Sequence, residues 1–86
     1  MFKVRIKSRH IAEVQAMLNV VERRVVGART SLHTVGDQIW TYIGVDGADW
    51  WSPTAHLFKF PPDEQGFRNE MAQLRLWLEV HYDVKT

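Results

Sequence analysis

Residues 30 to 45 read Thr-Ser-Leu-His-Thr-Val-Gly-Asp-Gln-Ile-Trp-Thr-Tyr-Ile-Gly-Val and carry the clearest structural signal in the chain. Two runs with high β-propensity, 30–35 and 38–45, are separated by the dipeptide Gly36-Asp37. A short connection with glycine between two such runs is typical of a β-hairpin. The stretch therefore predicts two neighbouring antiparallel strands.

The segment before the hairpin predicts an amphipathic helix over about residues 9 to 26. Ser8 can cap its first turn by accepting a hydrogen bond from a free backbone N–H, and Gly27 supplies a stop. Apolar residues recur between these points at helical spacing, namely Ile11, Val14, Leu18, Val21 and Val25.

The amino-terminal segment, residues 2–7, predicts a further, half-buried strand. Its apolar and basic residues alternate with a period of two. The same alternation lacks the unbroken apolar run that a secretion signal needs. Because alternate residues of a strand share a face, one side of this strand would be basic and would carry Lys3, Arg5 and Lys7.

The segment after the hairpin combines a loop with a short strand. Residues 46–53 hold turn-forming residues around two adjacent tryptophans, Trp50 and Trp51, and show no settled hydrophobic period. They predict an irregular loop of high aromatic content. Residues 55–60 then predict a short edge strand, because the two prolines that follow lack the N–H groups needed to continue a ladder.

The two prolines introduce a second helix. Asp63 and Glu64 suit the positive end of its dipole. Although Gly66 weakens the first turn, the helix has an apolar stripe at the right spacing. The stripe consists of Phe67, Met71, Leu74 and Leu78.

The carboxy-terminal run, residues 78–85, fits two structures. Its apolar and polar residues alternate as neatly as in the first strand, which predicts a closing strand. No Gly, Pro or Asn separates the run from the helix, so the same residues can also extend the helix through His81 or Tyr82. The alternation favours the strand.

These elements together predict one α+β domain over residues 1–86. The expected order is β-α-β-β-α-β, a small antiparallel sheet with two helices packed on one face. The Trp-rich segment would form an insertion before the second helix.

Composition excludes several classes of protein. The 86 residues include no cysteine, so a disulfide framework, a thiolate metal site and a cysteine nucleophile are all excluded. The apolar residues make up 45% of the chain and the charged ones 24%, as in ordinary globular proteins. No apolar run approaches the roughly 18 residues of a membrane span. We therefore expect a cytoplasmic protein with no membrane association.

Candidate chemistry in the sequence is weak. His10 and Glu13 are three residues apart on one helix, but the second histidine of a zinc-binding H-E-x-x-H motif is missing. The spacing of Asp37, Asp46 and Asp49 does not match a calcium loop. No nucleophile elbow or phosphate-binding glycine loop is present. We therefore expect no metal, no cofactor and no catalytic residue, and an enzyme without a recognisable motif is the least favoured alternative.

The favoured hypothesis is a small non-catalytic adaptor or inhibitor that occupies a surface of a protein partner. The chain carries four Trp, two Tyr and four Phe, and Trp and Tyr most often anchor protein interfaces. The expected partner-binding residues are Trp50 and Trp51, flanked by Asp46 and Asp49. By analogy, accessory factors of bacteria and phages are often compact domains of this size. Homodimerisation through a strand edge or the second helix is a further alternative.

The main alternative is a single-stranded nucleic-acid-binding domain. The basic residues of the first strand, Lys3, Arg5 and Lys7, would lie on the sheet face away from the helices. If the hairpin places Trp40 and Tyr42 on that face, stacking platforms would lie beside phosphate-attracting cations. In the opposite arrangement, Trp40 and Tyr42 pack under the helices, and Ile39, Thr41 and Ile43 face outward. Strand alternation alone does not distinguish the two arrangements.

Overall fold

The structure is a computed structural model that describes residues 8–45 and 55–84. In this part of the chain three antiparallel strands form one sheet in the order β1-β2-β3, and a helix lies on either side of the strands in sequence. The α+β class and the hairpin are thereby confirmed. The elements are α1 (Ser8–Arg24), β1 (Ala28–Val35), β2 (Gln38–Val45), β3 (His56–Phe60) and α2 (Glu64–Tyr82).

The hairpin forms as its sequence predicts. Val35 pairs with Gln38 across the turn, and Gly36 adopts a φ of 60°, a conformation that glycine reaches without steric cost. On the other side of β2, Thr41 pairs with Phe58 of β3. The predicted strand over 55–60 is therefore present as β3, and β2 is the central strand of the sheet.

One hydrophobic core joins both helices to one face of the sheet. In β2 the residues Ile39, Thr41 and Ile43 are all buried, which places this alternate set against the helices. Each large apolar side chain that is fully buried contributes roughly 1.5–3 kcal/mol to folding. The principal partners from the other elements are Val14, Leu18, Val21, Phe58, Phe60, Phe67, Met71, Leu74 and Leu78.

The start of α2 is fixed by local contacts. The carboxylate of Asp63 caps the helix by accepting a hydrogen bond of 2.8 Å from the Gly66 N–H. A Cβ at position 66 would lie 2.5 Å from Cγ of Pro61 and 2.8 Å from the Asp63 carboxylate. The cap and the proline therefore require glycine at this position, although glycine weakens a helix.

The predicted closing strand is wrong, because α2 continues to Tyr82. Leu78 is fully buried as the last member of the helical stripe, whereas Val80 is 67% exposed. Asp83 then ends the helix in the left-handed region with a φ of 55°, and the Val84 N–H bonds to the Leu78 carbonyl. Val84 is thereby folded back onto the core.

Other boundaries differ slightly from expectation. Helix α1 includes Ser8 and ends at Arg24, while Gly27 has the positive φ of 78° expected of a stop. The predicted first strand at 2–7 and the Trp-rich loop at 46–53 lie outside the described residues. No helix within the described ranges is long and apolar enough to cross a bilayer.

Candidate functional site

The face of the sheet opposite the helices is the first candidate site, and we call it the open sheet face. Because Ile39, Thr41 and Ile43 face the core, Trp40 and Tyr42 must face the other way. This decides between the two arrangements that the sequence left open. Cross-strand pairing assigns the other members of the open sheet face, which are Arg29, Ser31, His33, Val35, Gln38, Gly44, Leu57 and Lys59.

Trp40 lies near the middle of this face and has defined neighbours. It pairs with His33 on β1 and with Lys59 on β3. Its indole N–H donates a hydrogen bond of 3.0 Å to Oε1 of Gln38. The Nζ of Lys59 lies 4.4 Å from the centroid of the indole ring, a cation–π distance. The ring is thus oriented along the strand and carries a positive charge beside it.

Tyr42 lies flat along the same strand. An added Cβ at Gly44 would lie 2.9 Å from Cζ of Tyr42, so the phenol ring occupies the space that a side chain at position 44 would need. Arg29 pairs with Gly44 and Ser31 pairs with Tyr42 across the sheet. A shallow depression of about 570 Å³ adjoins Tyr42 at this end of the face.

The charged residues at the described strand positions of the open sheet face are all basic. Lys59 and Arg29 are its cations, and no Asp or Glu occupies a strand position on it in the part of the chain that the structure describes. Glu22 of α1 reaches the rim of the depression beside Tyr42, where it accepts a hydrogen bond from the Thr30 hydroxyl. Flat aromatic rings beside cations can stack planar bases and attract phosphates.

The predicted site residues have different outcomes. Trp40 and Tyr42 come together on the open sheet face. The basic residues Lys3, Arg5 and Lys7 lie outside the described residues, as do the expected partner-binding residues Trp50, Trp51, Asp46 and Asp49.

Sequence reasoning missed Lys59 and Arg29. The missing information was the register between strands. Lys59 could be placed beside Trp40 only by knowing that residues 55–60 pair with β2 and not with another strand.

A second group of polar residues joins α1 to α2. His10 is buried, its ring stacks on Phe67 with centroids 3.9 Å apart, and its Nε2 lies 2.7 Å from a carboxylate oxygen of Glu64. Arg68 donates two hydrogen bonds of 2.7 and 2.8 Å to Glu13 and one of 3.0 Å to Glu64. These polar contacts connect the first turns of the two helices.

These contacts change the ionisation of the carboxylates. Hydrogen bonds from His10 and then Arg68 lower the pKa of Glu64 to about 2. The hydrogen bonds from Arg68 also lower the pKa of Glu13. His10 and Glu13, the pair considered as metal ligands, therefore have separate partners. No group of three His, Asp or Glu side chains able to hold a metal occurs among residues 8–45 and 55–84.

A groove runs between the two helices on the side away from the sheet, and we call it the interhelical groove. Its volume is about 420 Å³. The Glu13–Arg68 pair crosses one end, and Arg75 lies at the other. The apolar lining consists of Ala16, Met17, Val20 and Met71.

Comparisons of the chain with protein-family models, with curated proteins and with solved structures found no match.

Proposed function

We propose that the protein is a non-catalytic binding domain whose open sheet face binds single-stranded nucleic acid. The observation that supports this function is the half-buried pair Trp40 and Tyr42 on the side of the central strand away from the helices, with Lys59 at the Trp40 ring. Two residues apart on a strand, their α-carbons are about 7 Å from each other. Successive bases of one nucleic-acid strand can stack on the two rings.

Electrostatics support a polyanionic ligand. Lys59 and Arg29 lie on the same face as the rings, and the face carries no acidic residue at its described strand positions. Neutralising phosphates with such cations releases counterions, which favours binding at low salt. Stacking rings beside cations suit a ligand of little sequence preference.

A labelled oligo(dT) strand titrated with the protein tests this proposal by fluorescence anisotropy. We expect binding that weakens with salt and that is lost in the Trp40→Ala/Tyr42→Ala double variant. Val80→Ala is the matched control, because Val80 lies exposed on α2, outside the open sheet face. Equal binding by the double variant and by Val80→Ala would refute the proposal.

The adaptor or inhibitor that occupies a protein partner is the second candidate function. Within the described residues, the interhelical groove supports this second function, because the groove is an apolar surface rimmed by charged residues. It lies on the side of the domain opposite the open sheet face. Isothermal titration with helical peptides tests whether the groove accepts a protein segment. The proposed cytoplasmic location and the alternative of a homodimer stay predictions.

A further inference from the structure

We propose that the interhelical groove docks an amphipathic helix of a protein partner that carries acidic residues at the end next to Arg75. This inference rests on the second candidate function and names the chemistry of its partner. It is independent of nucleic-acid binding, since the groove and the open sheet face lie on opposite sides of the domain.

The shape of the groove suits a helix. The two helices run in the same direction along it, since Glu13 lies beside Arg68 and, further along, Val20 and Arg75 line the same groove. Residues 13 to 20 of an α-helix span about 10 Å, or two turns. A helix that presents apolar side chains at positions i, i+3 or i+4 and i+7 matches a straight groove of this length.

The lining of the groove suits apolar anchors. Met17 and Met71 form its floor and are 8% and 1% exposed, so both side chains are also part of the core. Methionine adapts its shape to an incoming side chain because it is unbranched and polarisable. Ala16 is exposed and small, which lets a partner backbone approach α1 closely.

Charge around the groove is unequal at its two ends. At one end Arg68 is saturated by the carboxylates of Glu13 and Glu64. At the other end Arg75 forms no ion pair or hydrogen bond with any residue that the structure describes.

The surroundings of Arg75 add further positive charge. Arg23 follows Val20 by three residues at the end of α1, and Glu79 follows Arg75 by four residues on α2. Arg75 and Arg23 against Glu79 leave this end positive. An acidic turn of a partner helix would complement it.

Two synthetic helical peptides test the proposal. Both peptides carry leucine at i, i+3, i+4 and i+7. They differ only in one terminal turn, which holds three glutamates in the first peptide and three lysines in the second. By isothermal titration, we expect the wild-type protein to bind the glutamate peptide at least about tenfold more tightly than the lysine peptide. Arg75→Glu should reverse this preference, which a merely destabilised protein would not do.

Two tryptophan substitutions test whether the peptide binds in the interhelical groove. Ala16→Trp fills the groove, whereas Ala12→Trp adds the same ring to an exposed alanine of α1 outside the lining. We expect Ala16→Trp alone to abolish peptide binding while both variants keep the circular dichroism and the oligo(dT) affinity of the wild type.

Three results would overturn the proposal. These are equal binding of the two peptides, unchanged binding by Ala16→Trp, and a wild-type dimer that Ala16→Trp converts to a monomer, since a second copy would then occupy the groove. Failure of the second candidate function would give a different result. Capture of a protein partner would then be unaffected by the groove variants and also by variants of Trp50 and Trp51.

Discussion

The phenol ring of Tyr42 lies over the backbone of Gly44, two residues further along the same strand, in space that any other residue at position 44 would occupy. The glycine thus permits the ring to lie flat on the open sheet face. A flat ring leaves one π-face available to a planar ligand, which connects a single glycine to the proposed binding of nucleic acid.

The variant Gly44→Ala tests whether Gly44 is needed for the orientation of the Tyr42 ring or for folding. The added Cβ would meet Cζ of Tyr42 at 2.9 Å, and this atom belongs to the far end of a rotatable side chain. We expect the melting temperature to change little and the affinity for oligo(dT) to fall as far as in Tyr42→Ala. A Gly44→Ala protein that binds like the wild type would show that the flat orientation of the ring is not required.

Lys59→Gln tests the electrostatic part of the proposed function. Loss of one phosphate contact should lower the slope of log K against log salt by about 0.7 for a single strand. Arg75→Gln removes an equal charge from the opposite side of the domain and should leave the slope unchanged. Anisotropy titrations between low and physiological salt measure both slopes, and parallel slopes in the two variants would exclude Lys59 as a phosphate contact.

Acid should destabilise the protein through Glu64. The pKa of this carboxyl is lowered to about 2 in the folded state from an ordinary value of 4.5. Its contribution is therefore complete above pH 4.5 and is lost as the pH falls towards 2. Urea unfolding between pH 6 and pH 2.5 should show a weaker pH dependence for Glu64→Gln than for the wild type. Identical profiles would contradict this prediction.

Asp83→Gly should stabilise the protein. Asp83 has a φ of 55°, where a residue with a Cβ is strained, and glycine removes that strain at the end of the helix. We expect a gain of up to about 1 kcal/mol in the free energy of unfolding. Asp37→Gly is the matched control, because Asp37 does not have a positive φ and should gain nothing from the change. Chemical denaturation of the two variants measures the difference.

The prediction for Trp50 and Trp51 concerns the second candidate function. If these residues anchor a protein partner, Trp50→Ala or Trp51→Ala should cost about 2 kcal/mol of affinity or more, with an almost unchanged melting temperature. If they cap the core instead, each change should cost about 3–5 kcal/mol of folding stability. Thermal melts and quantitative capture of the partner distinguish the two outcomes. Loss of folding in both variants would exclude the interface.

Local patterns were enough to predict the hairpin, α1, the start of α2 and β3. The turn at Gly36 and its flanking β-prone runs specify the hairpin, and apolar residues at helical spacing specify α1. Asp63 and the stripe that begins at Phe67 specify the start of α2. Two prolines limit β3. In each case the signal is a contact or conformation between residues close in sequence, so the chain itself contains the information.

Contacts between distant segments determined the rest. Residues 78–82 alternate like a strand, yet burial of Leu78 in the stripe shared with α1 and the sheet makes them helical. The two faces of β2 are equivalent in sequence until the helices cover Ile39 and Ile43, and only then is Trp40 on the outside. Lys59 comes to lie beside Trp40 through the register of β3, and Arg75 comes to line a groove with Val20 through the packing of α2 beside α1. Burial free energy summed over the whole core fixes these choices, and no local segment contains that sum.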